Sequence, residues 1–113
     1  MLSEPSDQAV STQAPPPVPV PVFQLTRTPR YLFRASPVYP EAMRVQGRSG
    51  VVKLEVLIDK AGQVREVRIL KSAGKLFDDA ARRAILSSTF LPAEVDGQAV
   101  AVLWRLPVKF SLN

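Results

Sequence analysis

The sequence predicts an α+β domain in which a β-sheet carries helices on one face only. One observation is a C-terminal stretch in which every second residue is apolar: Val100, Val102, Trp104, Leu106, Val108 and Phe110. The other is a pair of earlier helical segments: 76–88, in which apolar residues recur at helical spacing, and a short one at 41–46 that Pro40 and Gly47 delimit. A strand with one apolar face needs cover on that face alone, and two helices can supply it. With 113 residues, 46% of them hydrophobic, the chain can bury one modest core.

The N-terminal part of the chain is interpreted as a tether. Residues 1–13 are small and polar without periodicity, a composition typical of disorder. Residues 14–22 begin with Ala14 and three prolines and then alternate valine with proline. Proline locks φ and lacks an N–H, so they predict an extended polyproline II spacer. A ligand for a proline-recognising domain is the alternative. We therefore divide the chain into a disordered, proline-rich tether over residues 1–35 and a folded domain over residues 36–113. The basic, apolar residues 23–33 could add a strand that covers an open sheet edge.

The folded part is predicted to begin with a short helix. Pro40 suits the first position of the helix over residues 41–46, because that position leaves its N–H unpaired in any case. Gly47 suits the position just after the helix, where a positive φ is common.

A β-hairpin is predicted to follow the first helix. Residues 51–58 alternate as one strand, residues 59–62 (DKAG) are typical of a turn, and residues 64–71 form the partner strand. The apolar alternation of the partner strand breaks near its start, which predicts a β-bulge near Arg65 and Glu66.

The second helix, over residues 76–88, carries two carboxylates in its first turn. Asp78 and Asp79 lie where the helix dipole favours anions. No neighbouring residue completes a metal site or an acid–base pair with them, so we interpret both as dipole partners. A turn over residues 95–98 then leads the chain into the last strand.

The last strand, over residues 100–112, is predicted to lie at a sheet edge. Pro107 has no N–H, so its nitrogen belongs on the side that faces away from the neighbouring strand. Residues two apart direct their N–H groups to the same side, and the outward set would be Ala101, Leu103, Arg105 and Lys109. Such a row of unpaired groups is partly protected by its charges and by Pro107, and it can also receive a partner's strand.

The amino-acid composition argues against an enzymatic function and favours a binding function. The sequence contains no His and no Cys, which removes the commonest general base and metal ligand and all thiol chemistry. We therefore predict that the chain is not an enzyme and has no catalytic residue, metal or cofactor. All 15 Lys and Arg residues follow residue 22, together with eight of the ten acidic residues, so the folded part is basic. A small nucleic-acid-binding α+β domain is one alternative, although exposed aromatic residues are few and no signature motif is present.

A series of short motifs occurs in a fixed order along the chain. They are Tyr39-Pro40, Gly50-Val51-Val52, Asp59-Lys60-Ala61-Gly62-Gln63-Val64, Phe77-Asp78-Asp79-Ala80-Ala81, Phe90-Leu91-Pro92-Ala93 and Pro107-Val108-Lys109-Phe110. Over residues 36–112 this ordered set resembles the C-terminal domain of the TonB family, whose members also carry a proline-rich segment. The resemblance implies a three-stranded antiparallel sheet with the first strand central, the last strand at an edge and two helices packed on one face.

The resemblance also implies a function. It implies an energy-transducing module in the periplasm, anchored to the inner membrane and energised by an ExbB–ExbD complex through an anchor helix that this sequence lacks. The partner would be an outer-membrane TonB-dependent receptor, whose TonB box adds as a strand beside the last strand to drive uptake of iron-siderophore, haem or similar ligands. The predicted partner-binding residues are Pro37, Val38, Tyr39, Ala101, Leu103, Arg105 and Lys109.

Several alternatives remain beside this interpretation. Tyr39 could equally pack in the core, and Trp104 is interpreted as a core residue because its neighbours on the same strand face are apolar. A homodimer could cover the open edge. A TolA-like domain, or a related domain of another envelope machine, shares the fold and the tether with different partners. No nucleic-acid partner is expected under the TonB interpretation.

Overall fold

The computed structural model describes residues 16–112. The predicted disordered residues 1–13 and the first two residues of the predicted polyproline stretch lie outside this range. The elements follow in the order 3₁₀ turn Val22–Gln24, β1 Arg30–Phe33, α1 Glu41–Val45, β2 Gly50–Ile58, β3 Val64–Lys71, α2 Lys75–Leu86, β4 Thr89–Leu91, β5 Ala93–Val95, β6 Gln98–Val100 and β7 Val102–Phe110. Among the helices of the described residues, none is both long enough and apolar enough to cross a membrane.

The main sheet has three antiparallel strands in the order β3-β2-β7. Strand β2 is central and β7 lies at an edge, and the helices pack on one face, which confirms the predicted fold class. Strands β2 and β7 pair over nine residues without interruption, from Gly50 opposite Phe110 to Ile58 opposite Val102.

The core lies between this sheet and α2. Alternate residues of a strand face the same side, and the four core-facing residues of β2 are fully buried: Val52, Leu54, Val56 and Ile58. The buried face of α2 consists of Phe77, Ala80, Ala81, Ala84 and Ile85. Burying each large apolar side chain stabilises the fold by about 1.5–3 kcal/mol, so this two-layer contact is the main source of stability.

Helix α2 begins one residue earlier and ends two residues earlier than predicted, and side chains hold both of its ends. At its start, the Asp78 carboxylate accepts hydrogen bonds from the Ser72 hydroxyl and, at 3.0 Å, from the Ala73 N–H. A hydrogen bond from Lys75 lowers the pKa of Asp79. After its end, the Ser88 hydroxyl donates to the Ala84 carbonyl at 2.8 Å, so the chain turns away before residue 88.

Helix α1 begins at Glu41 as predicted and ends at Val45, one residue earlier than predicted. Pro40 lies at the N-cap rather than at the first helical position, and its carbonyl accepts the N–H groups of Met43 and Arg44. At the other end Gly47 has φ +68°, as predicted, and its N–H donates to the Arg44 carbonyl at 3.1 Å. This left-handed residue ends the helix and directs the chain into β2.

The predicted bulge in β3 is confirmed. Leu57 pairs with Glu66 and Ile58 with Val64, so Arg65 is the extra residue. A second bulge, which the sequence did not predict, leaves Leu70 unpaired near the end of the strand. The hairpin is therefore irregular along β3.

The predicted continuous last strand is wrong at its beginning. Residues 98–100 form β6, which pairs with β5 through a two-residue turn at Asp96 (φ +51°) and Gly97 (φ +84°). Two successive positive φ values are typical of a tight hairpin turn. The strand is interrupted at the buried Ala101. Strand β7 begins at the next residue and ends at Phe110 rather than at Leu112.

The segment before residue 36 makes several backbone contacts with the domain. Strand β1 pairs antiparallel with β4, and the Tyr31 ring stacks on Phe90 with centroids 4.7 Å apart. The N–H groups of Thr26 and Arg27 donate to the Glu94 carbonyl at 2.8 and 3.1 Å. Residues 23–33 thus contribute a strand, but it pairs with β4 and not with β7.

Candidate partner-binding edge

The outer edge of β7 carries backbone groups without a partner in the described part of the chain. Strand β7 pairs with β2 alone, and the carbonyl of Ala101, just before it, faces outward. The N–H and C=O groups of successive residues point to opposite sides of a strand, so those of Leu103, Arg105 and Lys109 also point away from β2. Within residues 16–112, no backbone hydrogen bond reaches the outer side of these three residues. Pro107 faces outward too, where its missing N–H breaks no bond to β2.

The predicted site residues on this edge differ in accessibility. Ala101 is buried and its carbonyl accepts the Val20 N–H, whereas Leu103 is 38% exposed. Arg105 and Lys109 are exposed, and both side chains lie on the face of the sheet opposite the helices. Trp104 belongs to the core face and packs against the buried cluster, as its apolar neighbours predicted.

The other three predicted residues, Pro37, Val38 and Tyr39, do not lie beside Ala101 and Leu103. The Tyr39 ring meets Phe77 and Phe110 edge-on, with centroids 5.7 and 5.8 Å apart, and its hydroxyl donates to the Arg48 carbonyl. Tyr39 therefore packs at the end of β7 that lies about 30 Å from Ala101. Pro37 precedes Val38, which lines a shallow cleft over α2 rather than over the sheet edge.

A charged cluster on the helix-free face was missed by the sequence reasoning. The Glu55 carboxylate, 9% exposed, accepts a hydrogen bond from Arg68 at 2.5 Å and one from Arg105 at 3.3 Å. Glu55 belongs to the central strand, and its two partners belong to β3 and β7, directly opposite it in the pairing. The strand alternation in the sequence puts these three residues on the polar face. It does not show that they lie opposite one another, because that depends on the cross-strand register.

Beside this cluster the helix-free face is partly apolar. Leu57 is buried there although no helix covers it, because it lies opposite Leu103 on β7. A shallow cleft of about 170 Å³ is lined by Leu57, Leu103 and the charged residues around them. The edge thus combines unpaired backbone with an apolar side chain and an exposed guanidinium.

The described groups on this edge are suited to binding. The sequence has no His and no Cys, and the described residues contain no group of acidic side chains that could hold a metal ion. The hydroxyl of Ser88 is committed to the Ala84 carbonyl and to the N–H of Ala35. The chemistry that this edge supports is the addition of an extended backbone.

Comparison with known proteins places the chain in a family. Residues 35–112 match the family model described as the Gram-negative bacterial TonB protein C-terminal. Protein tonB2 of Pseudomonas aeruginosa is 32% identical over 84 residues, which cover 74% of this chain and 31% of that protein. Protein TonB of Neisseria meningitidis serogroup C is 38% identical over 79 residues, which cover 68% of this chain and 26% of that protein. The chain thus spans about a third or less of these relatives.

A solved structure shares the fold. The solution NMR structure of the Pseudomonas aeruginosa TonB C-terminal domain superimposes with a TM-score of 0.63 at 27% identity, covering 75% of this chain and 87% of the other. The family match over residues 35–112 and the shared fold point to the same family. The chain therefore belongs to the TonB family, whose C-terminal domain it carries, and it is not an enzyme.

Proposed function

We propose that this domain binds the TonB box of an outer-membrane TonB-dependent receptor by strand addition to β7. Family membership supports a TonB-type energy transducer, and the open outer edge of β7 is the observation that carries the proposal. An extended peptide would pair with the outward groups of Leu103, Arg105 and Lys109. The sheet would then grow by one strand without any rearrangement of the core.

Side chains have to add to the backbone pairing. Four or five backbone hydrogen bonds contribute about 2–7 kcal/mol at about 0.5–1.5 kcal/mol net each. Micromolar affinity requires about 8 kcal/mol. Leu103 and Arg105 are the side chains placed to supply the difference, because both are exposed beside the free backbone. Pro37, Val38 and Tyr39 would contact the partner only if it also reaches the far end of β7 and the cleft over α2.

The energy would come from the inner membrane. We propose that the domain works in the periplasm of a protein anchored in that membrane by a helix outside these 113 residues, and that an ExbB–ExbD complex drives it. Pulling along a paired strand loads its hydrogen bonds together in shear, so a modest affinity could transmit force to the receptor. The transported ligand would be an iron-siderophore, haem or a similar compound.

The proposal is tested by NMR titration of the isotope-labelled chain with a synthetic TonB-box peptide. We expect amide shifts concentrated at residues 103–106 and 109, because these lie along the docked strand. Leu103→Ala should weaken binding about three- to tenfold through the loss of apolar contact. Leu70→Ala is the matched control, since Leu70 is 41% exposed on the same sheet but on the β3 side.

Two results would count against strand addition. Shifts confined to the outer face of α2 would place the peptide elsewhere. Equal loss of affinity in the Leu70 and Leu103 variants would show that the β7 edge has no special role. A second copy of the chain on the same edge would appear as concentration-dependent shifts without peptide, and it would replace the receptor as occupant.

A further inference from the structure

The proline-valine segment, defined as residues 16–22, lies against the start of the β7 edge. The Val20 N–H donates to the outward carbonyl of Ala101 at 2.9 Å. Between the segment and the domain runs a cleft of about 490 Å³, lined on the domain side by Asp59, Lys60, Ala61, Arg65, Val100 and Ala101. The segment that the sequence predicts as a spacer therefore contacts the domain.

The contact uses one of the few N–H donors that such a segment contains. Only the valines of an alternating proline-valine run have an N–H, and within residues 16–22 the N–H of Val20 alone makes a backbone hydrogen bond. Val18, two residues earlier, is 86% exposed. Prolines on both sides hold the backbone extended in advance, so docking restricts little further freedom.

The segment also occupies space beside the next position of the edge. Residues 19–22 line a second cleft of about 450 Å³ together with Glu55, Leu103 and Arg105. A partner strand that paired with Leu103 and continued towards Ala101 would donate its next hydrogen bond to the Ala101 carbonyl. That carbonyl already accepts the Val20 N–H. The segment and the end of such a strand cannot occupy this place together.

We infer that the proline-valine segment is an intramolecular ligand of the β7 edge and competes there with the partner strand. This inference rests on the proposed strand addition for its competitive part, but the docking of the segment stands without it. A few residues further along the chain, Thr26 and Arg27 are hydrogen-bonded to Glu94 of the domain, so the segment is held near Ala101 and its effective concentration there is high. A partner therefore binds more weakly by the fraction of time that the site is occupied.

Docking is tested by amide hydrogen exchange at two matched positions. Val18 and Val20 each lie between two prolines, so their N–H groups have the same chemical neighbours. If Val20 is docked, its amide should exchange about two- to twelvefold more slowly than that of Val18, as expected for one net hydrogen bond. Equal exchange rates would overturn the docking and with it the competition.

Competition is tested with Val20→Pro, which removes the donor and keeps the extended backbone, and with Val18→Pro as control. We expect Val20→Pro to tighten binding of a TonB-box peptide about two- to tenfold in calorimetry, while Val18→Pro leaves it unchanged. Equal affinities, or weaker binding by the Val20 variant, would overturn the competition. If no variant binds the peptide, the proposed function fails, and the exchange rates still decide whether the segment docks.

Discussion

The two edges of the main sheet are protected in different ways. Strand β3 contains two bulges, at Arg65 and Leu70, whereas β7 pairs with β2 over nine residues without one. Both edges carry basic residues, but only on β3 is the backbone itself distorted, and a bulge twists an edge away from a pairing partner. Charge is common to both edges, so a regular backbone is what distinguishes β7 from β3. The regular edge is therefore the one to which we propose that a partner strand adds.

The largest effect on this comparison is expected at the turn that joins β2 to the distorted edge. Gly62 has φ +84°, and a Cβ there would lie 1.8 Å from the Phe90 carbonyl oxygen. Gly62→Ala should destabilise the fold by about 2–5 kcal/mol, from the left-handed backbone and from overpacking together. Urea unfolding followed by Trp104 fluorescence measures the loss.

Gly47→Ala is the control for this change. Gly47 also has a positive φ, +68°, but no atom lies within 4 Å of its added Cβ. We expect a loss of about 1–2 kcal/mol from backbone conformation alone. If both variants lose the same stability, the close contact with Phe90 does not hold the hairpin.

A smaller effect is expected at the residue that links the two edges. Glu55→Gln removes the charge between Arg68 and Arg105, whose side chains are 71% and 74% exposed. Because both guanidinium groups remain in water, we expect a loss of only about 1 kcal/mol, which becomes smaller in high salt. Glu66→Gln is the control, since Glu66 is exposed and forms no ion pair within residues 16–112. A loss as large in the control would show that net charge, not the link, is responsible.

The smallest effect concerns β1, which lies outside both edges. Burial raises the pKa of the Tyr31 phenol, and the Arg34 guanidinium over its ring lowers it in part. A raised pKa means that the folded state favours the neutral phenol. Its contribution to stability is therefore complete below the ordinary tyrosine pKa of about 10 and is lost as the pH rises through the folded-state value. The free energy of unfolding of the natural chain should fall as the pH rises above about 10, and that of the Tyr31→Phe variant should fall less. Equal falls in the two chains would contradict the prediction.

Much of the fold followed from local patterns. The alternation at residues 51–58 and the outward nitrogen of Pro107 predicted a central hairpin strand and an edge strand, and the break before Val67 located the bulge at Arg65. These features depend on side-chain period and on one missing N–H, which a sequence displays directly. The two-fold period could not reveal that the last strand breaks at Ala101.

What the sequence could not predict depends on contacts between distant residues. Strand β1 has four residues, and its partner β4 has three, so neither is specified by its own pattern. The position of Tyr39 follows from its packing on Phe77 and Phe110, which puts it far from Ala101. The seat of the proline-valine segment depends on one hydrogen bond from Val20, which no local pattern predicts.

The unbroken register of β7 limits how a guest backbone can move along it. A shift by one residue would turn every guest side chain to the opposite side of the sheet. A shift by two residues, about 7 Å, restores the same arrangement of donors and acceptors. A guest strand could therefore slide only in steps of two residues. At Pro107 it would make one hydrogen bond fewer than elsewhere along β7, because proline has no N–H.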